Sequence, residues 1–113
     1  MHETGTAKNL LHAIEKELKK HAYRKLVRVR IGVGALSGIE GDHLVEHLLE
    51  LAPGSVIEGV ALEAVELPPE FVCRSCGQTV QEKVVHTKCP RCGSGKIELE
   101  RGKELTILSV DVE

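Results

Sequence analysis

The chain is 113 residues long, with 15 Lys and Arg against 17 Asp and Glu and a formal net charge of −2. That length supports one domain with a modest core, and the balanced charge offers no field for phosphate backbones or anionic lipid. Tyr23 and Phe71 are the only aromatic residues and Trp is missing, so the core must be aliphatic and platforms for stacking bases are scarce.

In chain order, Ala7, Leu10, Leu11, Ile14 and Leu18 fall on one stripe at helical spacing. They predict an amphipathic helix from Thr6 to about His21, with Thr4 or Thr6 as its cap and with His12 and His21 upon it. Val27, Val29, Ile31 and Val33 then alternate with Arg28, Arg30 and Gly32, which is the period of a strand. A loop over Gly34–Gly41 leads to a second helix, Asp42–Leu51, with Leu44, Val45, Leu48 and Leu49 inward, Asp42 as cap and Pro53-Gly54 as stop. Val60–Leu67 reads as a second strand, halted by Pro68-Pro69, which also marks the best internal boundary. Leu105–Val112 reads as a third strand with Leu108, Val110 and Val112 on one side. The expected fold is α+β: a small three-stranded sheet with two helices, and a zinc-ribbon-like four-cysteine module inserted before the last strand. Residues 1–69 with 98–113 are expected to form one unit and residues 70–97 the zinc-binding module.

No apolar run approaches the roughly 20 residues that span a bilayer. The Met-His-Glu-Thr start has neither the basic nor the apolar region of a secretory signal. The chain is therefore expected to be cytoplasmic and complete, and in a reducing compartment its cysteines read as metal ligands rather than disulfides.

Those cysteines form two Cys-x-x-Cys pairs, Cys73-Arg-Ser-Cys76-Gly77 and Cys89-Pro-Arg-Cys92-Gly93. Two residues between thiolates let both sulfurs reach one ion across a tight turn, and this double spacing matches a tetrahedral zinc site. Four thiolates close the coordination shell, so Cys73, Cys76, Cys89 and Cys92 are expected to hold structural zinc whose binding energy is folding energy. Gln78–Lys88 is long enough for a short hairpin that brings the pairs together. A pair of redox dithiols is the competing reading, and it has no need of the duplication or the glycines.

The amino terminus carries a different signal. His2 follows Met1, and so large a second residue keeps the initiator in place. The Met1 α-amine, the deprotonated His2 amide nitrogen and the His2 imidazole can then form fused chelate rings, with Glu3 as a fourth donor. A planar set of nitrogen donors suits Ni²⁺ or Cu²⁺ rather than Zn²⁺.

Met1-His2-Glu3 leading into a helix, the strand ending Gly-Val-Gly-Ala-Leu-Ser-Gly-Ile-Glu40, and the late double Cys-x-x-Cys before a final strand together resemble the HypA/HybF family. The resemblance covers the whole chain in order. It implies a nickel metallochaperone for nickel–iron hydrogenase maturation, in some members also serving urease. It implies Ni(II) as cargo at the amino terminus with His2 as key ligand and Glu3 in support, and Glu40 as an acidic neighbour of the nickel. A structural Zn(II) module, and the GTPase HypB and the hydrogenase large subunit as partners, follow from the same resemblance. Monomer and homodimer both remain open. The chain departs from its relatives at Gly5-Thr6, where a helix-friendlier pair is common, and at Gly41, where proline often precedes the second helix.

Three further patterns have weaker claims. His43-Leu-Val-Glu46-His47 matches the H-x-x-E-H of inverted zinc peptidases, but a domain this small can hardly provide a substrate cleft. A second metal site at these histidines is the alternative to plain surface residues. Gly32-Val-Gly34-Ala-Leu-Ser37 lacks the third glycine of a dinucleotide fingerprint and reads as a connecting loop. His86, inside the cysteine segment, reads as a solvated hairpin residue or as a neighbour of the zinc. No nucleophile, base and orienting group assemble, so no enzyme is expected. The rival from another class is a zinc-ribbon adaptor for nucleic acid or a protein partner, suggested by the local excess of Arg74, Lys83, Lys88, Arg91 and Lys96 over Glu70 and Glu82.

Overall fold

The structure, a computed structural model, describes residues 3–82 and 84–113. The first helix, α1 (Glu3–Leu18), presents Ala7, Leu10, Ile14 and Leu18 to the core at the predicted spacing. It begins earlier than predicted, running through Thr4, Gly5 and Thr6, and it ends earlier too, closing on a tight turn in which the His21 N–H donates to the Leu18 carbonyl at 3.1 Å.

Next come β1 (Leu26–Gly34), α2 (Gly41–Leu51) and β2 (Ala61–Leu67). β1 and β2 pair in parallel, which requires a crossover, and α2 supplies it. The last strand, β6 (Leu105–Val112), pairs antiparallel with the other edge of β1, giving the order β2-β1-β6. Both helices cover one face of this sheet, as expected, and the core joins Ile14, Val29, Ile31, Leu44, Leu48 and Ile57, all fully buried. The opposite face carries an exposed ion network in which Glu63 meets Arg28 at 3.7 Å and Arg30 at 3.3 Å.

Several inward assignments differ from the sequence pattern. Leu26 is buried and Val27 exposed, because the β1–β6 register slips between Leu26 and Arg28. A second slip, between Arg30 and Ile31, turns β6 so that Leu105, Ile107 and Val110 pack on the core while Leu108 and Val112 are exposed. A bulge breaks strict alternation, and alternation was the only signal available. On α2, Leu49 is exposed, whereas Leu51 and Ala52 pack on the core. The residue that caps α2 is Glu40, in extended conformation, and Asp42 falls in the first turn.

The sequence reading has no counterpart for a second antiparallel sheet, β4-β3-β5, made of β3 (Glu70–Cys73), β4 (Thr79–Gln81) and β5 (Ile97–Arg101). Among the described residues of Gln78–Lys88 there is one strand, β4, so the hairpin expected within that span is not seen there. The hairpin is instead β3–β4, folded across the first cysteine turn, with Phe71 and Val80 paired and buried while Val84 and Val85 stay exposed.

The two sheets meet at a tight joint. The Leu36 N–H donates to the Gly102 carbonyl at 2.7 Å, and the Gly34 N–H to the Glu104 carbonyl at 2.9 Å. A Cβ on Gly34 would lie 2.3 Å from the Gly102 oxygen, and one on Gly32 would lie 2.5 Å from Leu67 Cδ1. These glycines are therefore explained by packing within the chain; contrary to the loop expected over Gly32–Ser37, Gly32, Val33 and Gly34 are the last residues of β1, and the connection to α2 begins after them.

Candidate metal centres

Cys73 ends β3, and the chain then turns sharply enough for the Gly77 N–H to reach the Cys73 carbonyl at 2.9 Å. The Cys73 N–H donates in turn to the Gln78 carbonyl at 2.9 Å. The second pair repeats this geometry: Gly93 N–H to Cys89 carbonyl and Cys89 N–H to Ser94 carbonyl, both 2.8 Å. Gly77 and Gly93 have φ of 79° and 78°, the left-handed region that side chains disfavour, which is why glycine follows each cysteine pair. The Ser75 and Ser94 hydroxyls, 2.8 Å apart, tie one turn to the other. Arg74 anchors the first turn to β5 through Glu98 at 2.7 Å and Glu100 at 3.3 Å.

The four cysteines converge. All four sulfurs lie within 4.8 Å of one another, with Cys73–Cys92 and Cys76–Cys89 each at 3.7 Å. A tetrahedral zinc with Zn–S bonds of about 2.3 Å requires sulfur–sulfur edges of about 3.8 Å. The donor set thus fits Zn(II) in both chemistry and size, and two backbone N–H groups already point at sulfur, Cys76 to Cys73 at 3.5 Å and Arg91 to Cys89 at 3.4 Å. Without a cation the thiols divide their protons unequally. The Cys76 N–H draws the Cys73 thiol down to about 6, and the Cys92 N–H lowers Cys89. Cys92 is pushed up to about 11: the Ser94 N–H favours its thiolate, but burial and the three neighbouring sulfurs outweigh it. Four thiolates this close need a cation, so Cys73, Cys76, Cys89 and Cys92 would give up their remaining protons on holding a metal ion.

His86 is not the solvated residue expected. Its side chain is only 16% exposed, its Nε2 faces Glu82 at 3.1 Å, and its ring meets Phe71 edge-on with centroids 5.7 Å apart. It belongs to the packing of the second sheet, and the four-donor cluster does not include it.

Met1, His2 and the Glu3 side chain lie outside the described residues. Glu40 is exposed, with its Oε2 3.3 Å from His43 Nδ1, at an open depression that Asp42, Glu66, Val33 and Ala64 also line. Gly41 sits there because a Cβ would meet that of Ala64 at 2.8 Å. His43, Glu46 and His47 do not converge on a third donor: among the described residues, the cysteines alone bring three or more together. No described helix is long and apolar enough to cross a membrane.

A family model described as "Hydrogenase/urease nickel incorporation, metallochaperone, hypA" matches residues 1–112. The chain belongs to the HypA family. Hydrogenase maturation factor HypA of Albidiferax ferrireducens is 32% identical over 113 residues, and that of Acidithiobacillus ferrooxidans 31%, each match covering 100% of both chains. The solution structure of the Ni metallochaperone HypA from Helicobacter pylori has the same fold, with a TM-score of 0.76, 24% identity, and coverage of 99% of this chain and 97% of that one. Family membership agrees with the resemblance read from the sequence. It points to a metallochaperone's role in nickel incorporation.

Proposed function

We propose that this chain captures Ni(II) at its amino terminus and delivers it for nickel–iron hydrogenase maturation. The observation that carries this reading is the family match over residues 1–112, which takes in Met1, His2 and Glu3. The Met1 amine, the His2 amide and imidazole, and Glu3 supply the donors, with Glu40 in support. Amide ligation requires loss of a proton, so acidification or a competing acceptor releases the ion. Residues 1–69 with 98–113 form the nickel-handling unit. Residues 70–97 form the zinc module, with Cys73, Cys76, Cys89 and Cys92 holding structural Zn(II), although β5 carries its sheet on to Arg101, past the boundary read from the sequence. The partners are HypB and the hydrogenase large subunit, and the protein works in the cytoplasm.

The test is complementation of a strain lacking its own family member, read as nickel in the purified hydrogenase. The intact chain should restore nickel insertion, and His2→Ala should not, at equal protein levels. Full restoration by His2→Ala would remove the terminus from the mechanism and favour the adaptor reading.

A further inference from the structure

From Lys16 to Lys25 the chain carries five lysines and arginines against Glu17, a local charge of +4 in a chain whose net charge is −2. All five are exposed, at the end of α1 and in the turn that leads into β1. Glu17 is engaged twice over, with His21 Nε2 at 3.3 Å and Lys20 Nζ at 3.4 Å, and these partners hold its carboxylate below the usual range. Lys16, Lys19, Arg24 and Lys25 have no ion pair among the described residues. Glu113 holds the turn against β6, its carbonyl accepting from the Arg24 N–H at 2.7 Å and the Lys25 N–H at 3.2 Å. Cations fixed on one turn without counter-ions present a positive potential that a carboxylate-bearing surface would match.

The same end of the molecule has a groove of about 430 Å³, lined by Leu18, Tyr23 and Val56 together with Glu15, Lys19 and His21. Tyr23 and Val56 are 39% and 38% exposed, so apolar surface lies open beside the unpaired cations. A single ring is a poor platform for bases, and the acidic remainder of the chain repels a long polyanion. A short segment with carboxylates around one apolar side chain suits both features. The turn also leaves the metal sites free. It precedes Leu26, whereas Glu40 sits by Val33, roughly 20 Å further along β1.

We propose that the α1–β1 turn is a docking surface for an acidic segment of a partner protein. Carboxylates face Lys19, Lys20 and Arg24, and one apolar side chain fills the groove at Tyr23 and Val56. This surface rests on the delivery reading, because it supplies the contact through which a partner approaches the loaded chain.

The test uses the strain lacking its own family member, with nickel in the purified hydrogenase as the readout. Lys19→Glu with Arg24→Glu, and separately Val56→Asp, should each lower nickel insertion at least about tenfold. Lys8→Glu with Lys103→Glu makes the same charge change away from the turn and should restore insertion fully. Every substituted residue is exposed, so Ni²⁺ uptake, Zn²⁺ uptake and thermal unfolding of the purified variants should match the parent's. Carbodiimide joins an amine to a carboxylate in contact with it, and should link Lys19, Lys20 or Lys25 to an Asp or Glu of HypB or the hydrogenase large subunit. Parental insertion by either turn variant, equal loss in both double variants, or no such link to either protein would overturn the proposal. Binding of the purified chain to duplex DNA or phosphatidylserine vesicles, lost in the turn variants, would overturn it too by assigning the turn to a polyanion. Failure of the parent chain to restore insertion would instead remove the delivery reading, and this surface with it.

Discussion

Around the first sheet, α1, β1 and α2 bury Ile14, Ile31, Leu44 and Leu48 completely; around the second, the buried hydrophobic side chains are Phe71, Val80 and the two cysteines Cys73 and Cys89. Two buried apolar side chains are too little apolar burial to offset the conformational entropy of ordering a segment as long as Glu70–Arg101. The first region can therefore fold on its aliphatic core, whereas the second needs a cross-link that its cysteines supply when they take a metal. The contrast teaches that one short chain can divide its stability between burial and ligation, and that the two parts should fail under different conditions.

The largest effect that could break this comparison is metal removal. Structural zinc contributes apparent energies of about 10–16 kcal/mol in small zinc modules. Chelation, or Cys73→Ser, should collapse the amide spectrum of residues 70–101 to random-coil shifts while those of α1, β1 and α2 persist. A uniform loss across both regions would show that they are one cooperative unit. Next in size, Leu48→Ala should cost about 2–5 kcal/mol in urea unfolding of the first region, and leave the rate of zinc release to a chelator unchanged. Gly34→Ala acts on the joint itself. Its Cβ would press on backbone at Gly102 rather than on a flexible side chain, so a loss of about 1–3 kcal/mol is expected, with shifts in both sheets.

The smallest effect concerns pH. The Gly102 N–H donates to Glu104 Oε1 at 2.7 Å and holds that carboxylate below its usual range. A lowered folded-state value means stability that is present above the ordinary carboxylate range and is lost as pH falls through the lowered value. Glu104→Gln should therefore lower the melting temperature slightly at neutral pH, and the gap should close in acid. A gap that widens in acid would contradict the assignment.

Much of this architecture could be read from residue order. The stripe of Leu10, Ile14 and Leu18, the alternation of Val29 and Ile31 with Arg28 and Arg30, and the doubled cysteine spacing are each set by local geometry, and each appears where the pattern placed it. What escaped the reading depended on partners distant in sequence. The inward face of β6 follows from a bulge opposite Arg30 and Ile31, and the second sheet from pairing of Phe71 with Val80 and Leu99. Its strands are short, though Ile97-Glu-Leu-Glu does alternate and could have been recognised as one. The packing of half-buried His86 against Phe71 has no signature in the sequence at all.

The central claim is nickel capture by the amino terminus, and calorimetric titration of tag-free, zinc-loaded protein with Ni²⁺ tests it most directly. The parent chain should show a tight event of about one nickel, lost both in His2→Ala and when Gly-Ser precedes Met1. Survival of that event in either variant, or its absence from the parent, would contradict the account.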